Sequence, residues 1–298
     1  MLVFPNAKIN LGLYVTGNRP DGYHDVETVF YPLPLCDVLE VVPRRGMTAS
    51  SGGANLLTGA AAPDVERGFV LDTPDCRMAL SGIPVEGDPE TNLCVRAYRM
   101  LAGEFRLPPV DIALHKQIPS GAGLGGGSSD GAYMLTVLNR LFGLCLDGPR
   151  LAAYASRLGS DCAFFLRNSP AVGTGRGEVL TPVDVSLSGY YLVLLTPDVH
   201  VRTADAYRQV VLRRPEPSLE TVMTRPPESW PEVLCNDFES SVFRQFPLIA
   251  TLKQRLYQAG ACYASMSGSG SSVFGLFRHP VAPGSLPPGM RHAACYKL

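Results

Sequence analysis

Five glycines in the seven residues from Gly121 to Gly127 constrain this chain more than any other feature. Each glycine lowers the stability of ordered backbone, so a dense run marks main chain that must curl tightly and approach something closely. Before it, Val110, Ile112 and Leu114 alternate into a strand that carries Lys116 and stops at Pro119. After it, Met134, Leu135, Leu138, Leu141 and Phe142 recur at helical spacing. A strand running through a glycine turn into an amphipathic helix aims the helix's free N–H groups and positive dipole end at the turn. That arrangement favours an anion, and Ser128 and Ser129 add hydroxyl donors. A flexible surface loop is the competing reading, but such loops seldom join a clean strand directly to a strong amphipathic helix.

The run also fits G-x-G-x-x-G through Gly121, Gly123 and Gly126. A dinucleotide fold needs, in addition, a second parallel strand ending in an acidic residue about 20 positions on. Asp147 has roughly that spacing, but it follows a short apolar stretch and heads a helix. No lysine directly follows the glycines, and the protein-kinase H-R-D and D-F-G signatures are absent from the sequence. The loop predicts phosphate binding by some other scaffold.

Elsewhere the periodicities predict strands at Ala7–Tyr14, Val26–Leu33, Val38–Val42, Tyr190–Leu195 and Val273–Phe277. In the first of these, Lys8 and Asn10 share one face, opposite Ile9, Leu11 and Leu13. Helices are predicted over Asn92–Leu101, Arg150–Leu158 (capped by Asp147 and ended by Gly159), Ala204–Val211 and Phe246–Gln258. Residues 44–90, rich in Gly, Ala, Ser and Pro, read as a hairpin or surface excursion. A domain boundary falls near 160–180.

Hydrophobic residues at 46% and charged ones at 18% support a sizeable core. A net charge of −1 with scattered Lys and Arg argues against a nucleic-acid partner, which needs clustered cations. The eight cysteines form no C-x-x-C pair and read as reduced core thiols. The longest apolar stretch, Gly189–Thr196, is strand-sized, so no membrane partner is expected. Met1 leads straight into Leu2-Val3-Phe4-Pro5 with no basic region or cleavage site, and a cytoplasmic protein is expected.

One further residue carries chemical interest. Asp161 stands in an apolar segment, Gly159 to Phe165, where a carboxylate needs a partner, and Lys8 is the natural one. From spacing alone, a carboxylate that merely caps the turn after Gly159 is equally good.

Pro5 to Asn10, Gly22-Tyr23-His24, the Gly123–Asp130 loop, Gly159-Ser160-Asp161 and Ser267–Ser272 stand in an order that resembles the galactokinase, homoserine kinase, mevalonate kinase and phosphomevalonate kinase superfamily. The likeness spans nearly the whole chain, and the triple glycine with the early Gly-Tyr-His is closest to the members that act on a cytidine-diphosphate-linked methylerythritol. What the resemblance implies is a two-domain α+β small-molecule kinase fold, with a ribosomal-S5-domain-2-like ATP-binding part over residues 1–165 and a ferredoxin-like part over 166–298. It implies phosphorylation of the substrate's 2-hydroxyl in non-mevalonate isoprenoid precursor biosynthesis. Asp161 would be the base and Lys8 its catalytic partner. ATP would lie against Asn92, Leu93, Lys116, Pro119, Gly121, Gly123, Leu124, Gly125, Gly126, Gly127, Ser128 and Ser129. The substrate would meet Asn10, Tyr23, His24, Phe30, Thr203 and Tyr207, its cytosine held between two aromatic rings, a contact worth roughly 1–3 kcal/mol per base. Mg²⁺ would ride on the ATP phosphates with no dedicated protein ligand, helped by Ser128 or Ser129, and the chain would be a monomer or weak homodimer. Other kinases of the superfamily, acting on a sugar, homoserine or mevalonate, and an inactive nucleotide-binding protein are the alternatives. Cys162-Ala163 where Val-Pro is commoner, and Gly131 where Ala is usual, depart from the pattern beside the site.

Overall fold

The computed structural model describes residues 1–44, 69–208, 210–282 and 285–298. Most of the 44–90 excursion therefore lies outside the described residues, and only its later part is seen.

Three sheets organise the chain. The first is built on a long antiparallel pair, β2 (Asn6–Asn18) and β3 (His24–Cys36), which follows a short β1 (Leu2–Val3). The register sets Ile9 opposite Tyr31 and Asn10 opposite Phe30. Two four-residue strands, β8 (Ala171–Thr174) and β9 (Val179–Pro182), extend this sheet in the order β2-β3-β8-β9. The second sheet has the order β1-β4-β7-β6-β5, with β4 at Val38–Pro43, β5 at Phe69–Asp72, β6 at Cys76–Gly82 and β7 at Val110–Lys116. In it β6 and β7 run parallel, joined by a crossover through α1 (Leu93–Phe105). The third sheet is antiparallel throughout, β11-β12-β10-β13, from β10 (Tyr191–Pro197), β11 (Tyr263–Met266), β12 (Val273–Phe277) and β13 (Met290–Lys297).

The helices α1, α2 (Gly126–Leu141), α3 (Gly148–Leu158) and α4 (Cys162–Arg167) bury Tyr98, Leu101, Leu135, Leu138 and Phe164 in a core shared with the second sheet. Beyond them lie α5 (Thr203–Ala206), α6 (Leu219–Met223), α7 (Glu239–Gln245) and α8 (Pro247–Gln258), the last packing Ile249, Leu252 and Leu256 on the third sheet. A middle core joins Ala7, Ile9 and Leu11 of β2 to Leu192, Leu194, Trp230 and Phe274. The expected helix over Ala204–Val211 is a single turn, α5. Asp205 pairs with Arg202 and Arg208, and Tyr207, at the end of that turn, meets Phe238 edge-on. A cut at residue 165 would part β8, and β9 paired to its other edge, from β3, because Val29 stands opposite Val172.

Candidate active site

Lys8 and Asn10 do share a face of β2, and that face is covered. Both are almost fully buried, so their polar atoms must be satisfied inside the protein. Lys8 Nζ donates to Asn10 Oδ1 at 2.6 Å, and Asn10 Nδ2 donates to Thr28 Oγ1 at 3.0 Å. The same ammonium lies 3.4 Å from Asp161 Oδ2 and 5.3 Å from the centroid of the Phe30 ring. The lysine side chain is 4% exposed and that of Asp161 28%, so the cation is sealed in while the carboxylate faces open space. Asp161 precedes α4 but makes no capping bond to it. Its carboxylate is turned to Lys8 instead.

The glycine loop abuts this pair. Lys8 N donates to Leu124 O at 2.9 Å, fastening the loop to β2. Gly125 holds φ at +71° at the start of α2, and a Cβ there would stand 3.1 Å from Lys8 Cε. From the other side Ser267 Oγ donates to Gly123 O at 2.8 Å, and Ser272 N donates to Ala122 O at 3.2 Å. The Ser-Gly run at 267–272 is therefore the outer brace of the loop, itself held by Asn236 Nδ2, which donates to Met266 O and Gly268 O.

A cleft of about 740 Å³ is lined by Lys8, Asn10, Phe30, Leu93, Pro119, Gly121, Gly123, Gly125, Gly126, Gly127, Ser128, Asp161, Thr203 and Tyr207. Asn92 lies next to Leu93 and caps α1, its Oδ1 accepting from Cys94 N at 2.9 Å. Leu124 is buried behind the loop, as is Ser129, whose hydroxyl has no partner among the described residues. Lys116 departs from the expectation. Its side chain is buried between Asp37 and Asp130, with Nζ 2.7 Å from Asp130 Oδ2, so it holds the floor beneath Gly126 and presents no ammonium to the cleft. A lysine flanked by two buried carboxylates has little freedom to leave them.

Next to the cleft, a second cavity of about 740 Å³ is lined by Tyr23, His24, Thr203 and Tyr207, together with Arg96, Arg157 and Arg176. The His24 and Tyr207 rings stack at 4.3 Å with 18° between planes, and Tyr207 meets Phe238 edge-on at 4.7 Å. Tyr23 is exposed, its ring 5.1 Å from the Arg176 guanidinium. The face of Tyr207 toward His24 is thus covered by the imidazole, and a pyrimidine lying there has to displace it. The Tyr207 phenol is pushed up, by burial first and by the charge of Asp161 second, which ties this cavity electrostatically to the cleft.

Sequence reasoning missed Arg176, which lines both cavities, and His200, whose ring lies against Gly121. Arg176 had a readable signal in its two flanking glycines, which predict a tight turn. His200 had none, because only the fold brings it to the loop. Cys162, next to Asp161, is buried with its thiol pushed up to about 12 and offers no thiolate. Among the described residues no cluster of three His, Cys, Asp or Glu stands ready for a metal.

Two family models match the chain, the GHMP kinases N terminal domain over residues 92–169 and the GHMP kinases C terminal over residues 219–286. The chain is 51% identical to a 4-diphosphocytidyl-2-C-methyl-D-erythritol kinase of Bacteroides fragilis, covering 93% of this chain and 92% of the relative. To the enzyme of that name from Bacteroides thetaiotaomicron it is 47% identical, with 96% and 94% covered. A crystal structure of 4-(cytidine 5'-diphospho)-2C-methyl-D-erythritol kinase superposes with a TM-score of 0.70 at 31% identity, over 94% of this chain and 91% of that one. Taken with a glycine loop set against a lysine–aspartate pair, these likenesses leave one assignment: the chain belongs to the 4-diphosphocytidyl-2-C-methyl-D-erythritol kinase family of the GHMP kinases.

Proposed function

We propose that this chain transfers the γ-phosphoryl group of ATP to the 2-hydroxyl of 4-diphosphocytidyl-2-C-methyl-D-erythritol, in non-mevalonate isoprenoid precursor biosynthesis. The observation that carries the reading is the Lys8–Asp161 pair, 3.4 Å apart, in the same cleft as the glycine loop. Phosphoryl transfer asks for positioning, charge neutralisation and a group that takes or orients the hydroxyl proton. Asp161 accepts that proton. Lys8, desolvated and oriented by Asn10, stabilises the negative charge that develops on the acceptor oxygen. The first N–H groups of α2 receive the triphosphate, with Ser128 at the cleft. Mg²⁺ would be carried on the ATP phosphates, whose charge it would neutralise, with the Ser128 hydroxyl at the cleft as the oxygen donor at hand.

The finer architecture we infer is a ribosomal-S5-domain-2-like N-terminal part and a ferredoxin-like C-terminal part. The antiparallel four-stranded sheet with α7 and α8 on it supports the second of these. Among the described residues no helix is long and apolar enough to cross a membrane, and a cytoplasmic monomer or weak homodimer is part of the reading.

An ATP-consumption assay tests it. Wild-type protein is offered the methylerythritol alcohol with and without its cytidine diphosphate, beside Asp161→Asn. We expect turnover only of the nucleotide-linked alcohol, and a kcat at least about 100-fold lower in the variant. Indifference to the cytidine diphosphate group removes the substrate assignment, and near-normal turnover by the variant removes Asp161 from the mechanism.

A further inference from the structure

The cavity beside the cleft is lined by three arginines and, among its lining residues, by no carboxylate. They are not equally available. Arg157 reaches Glu104 at 3.5 Å and is 60% exposed at the rim. Arg96 has no ion-pair partner among the described residues. Arg176 stands on the turn between β8 and β9, its Nε 3.4 Å from Glu178 Oε1. Guanidinium groups on the wall of a cavity that has no anion among its lining residues define a place for a ligand's negative charge.

Arg176 is also the hinge point of the two cavities. The turn that carries it lies beside the reacting centre, since a Cβ built on Gly177 would stand 3.8 Å from Asp161 Oδ1. Its guanidinium lies 5.1 Å from the Tyr23 ring centroid in the aromatic cavity. A ligand whose hydroxyl is at Asp161 and whose base is at Tyr23 and Tyr207 must thread its connecting segment past this side chain. On the substrate reading given above, that segment is a doubly anionic diphosphate.

We propose that Arg176, with Arg96 on the wall of the same cavity, binds the diphosphate bridge of the nucleotide-linked substrate and so acts as a specificity-determining residue for that substrate. The planar fork of a guanidinium suits bidentate contact with phosphate oxygens, and such charge-assisted pairs rank among the strong hydrogen bonds. Because the bridge is present in both ground and transition states, losing the contact weakens binding uniformly, which raises KM and spares kcat. This inference rests on the proposed substrate.

The test compares wild type, Arg176→Ala and Arg176→Lys in three measurements: kcat and KM for the CDP-linked alcohol, KM for ATP, and competitive inhibition by CDP against cytidine. Wild type is expected to prefer CDP to cytidine. In Arg176→Ala that preference shrinks and the alcohol's KM rises, each by about 10- to 100-fold, with kcat and the KM for ATP held. Arg176→Lys, which keeps the charge and loses the fork, falls between. An unchanged CDP preference in Arg176→Ala overturns the proposal, as does a raised KM for ATP with the CDP preference intact, which would put Arg176 on the transferred phosphate. If wild type neither prefers CDP to cytidine nor turns over the CDP-linked alcohol, the substrate reading itself fails and this inference with it.

Discussion

Lys116 sits between two carboxylates, and the two are not alike. Asp37 is fully buried and accepts from Gln117 N at 2.6 Å and Ile118 N at 2.8 Å as well as from Lys116. Asp130 has Lys116 on one oxygen, and its Oδ1 has no partner among the described residues. The two carboxylates share one lysine, and only Asp37 has backbone N–H donors besides. Burial pushes the Asp130 carboxyl up from 3.8 to about 7, against the pull of Lys116 and with the push of Asp37. Unfolded, this group gives up its proton near pH 4; folded, it holds the proton to about 7. Its contribution to stability is therefore complete below pH 4 and is lost as pH rises to 7. Asp130→Asn removes the titration, so the stability of the variant relative to wild type should rise between pH 4 and 7, by roughly 4 kcal/mol. Chemical denaturation across that range reads it, and a pH-independent difference contradicts it. None of this was legible in the sequence. Lys116 stands close to the loop in the chain and reads as a ligand-pocket residue, while Asp37, 79 positions away, reaches it only through the fold.

Elements were legible where their period was strong. β2, β4, β7, α2, α3 and α8 follow apolar alternation or helical spacing visible in the residues. β8 and β9, four residues each around a glycine turn, are too short to carry a period; β8 pairs with the edge of β3, and β9 with β8. The Ser-Gly run at 267–272 reads in isolation as a plain turn, and its meaning comes from the element opposite. A Cβ on Gly123, at φ +77°, would stand 2.0 Å from Ser267 O, backbone against backbone, so this glycine lets the two loops meet. Gly123→Ala combines a strained φ with that clash and should destabilise the protein by about 2 kcal/mol or more. Gly127, with open space around its Cβ position and a helical setting, should accept alanine at no loss of stability. Thermal melts of the two variants decide it; equal melting temperatures would mean that the loops do not pack as described.

At the scale of the whole molecule, one core joins β2 to the third sheet, so the strand that carries Lys8 is anchored against residues from the far end of the chain. The cleft is composite for the same reason: Asp161 and the glycine loop come from the first part, Thr203 and Tyr207 from the later part. The sequence resemblance supplied the order of these pieces, and the periodicities supplied their local structure. What neither contained was the side-by-side placement of two cavities with Arg176 between them, because that depends on how the β8–β9 turn lies over Asp161. The most direct measurement is a crystal structure with a non-hydrolysable ATP analogue and the CDP-linked alcohol bound together. The account predicts the triphosphate against the Gly121–Gly127 backbone and the acceptor hydroxyl within hydrogen-bond reach of both Asp161 and Lys8. An acceptor hydroxyl lodged away from that pair, or a triphosphate that leaves the glycine backbone untouched, contradicts it.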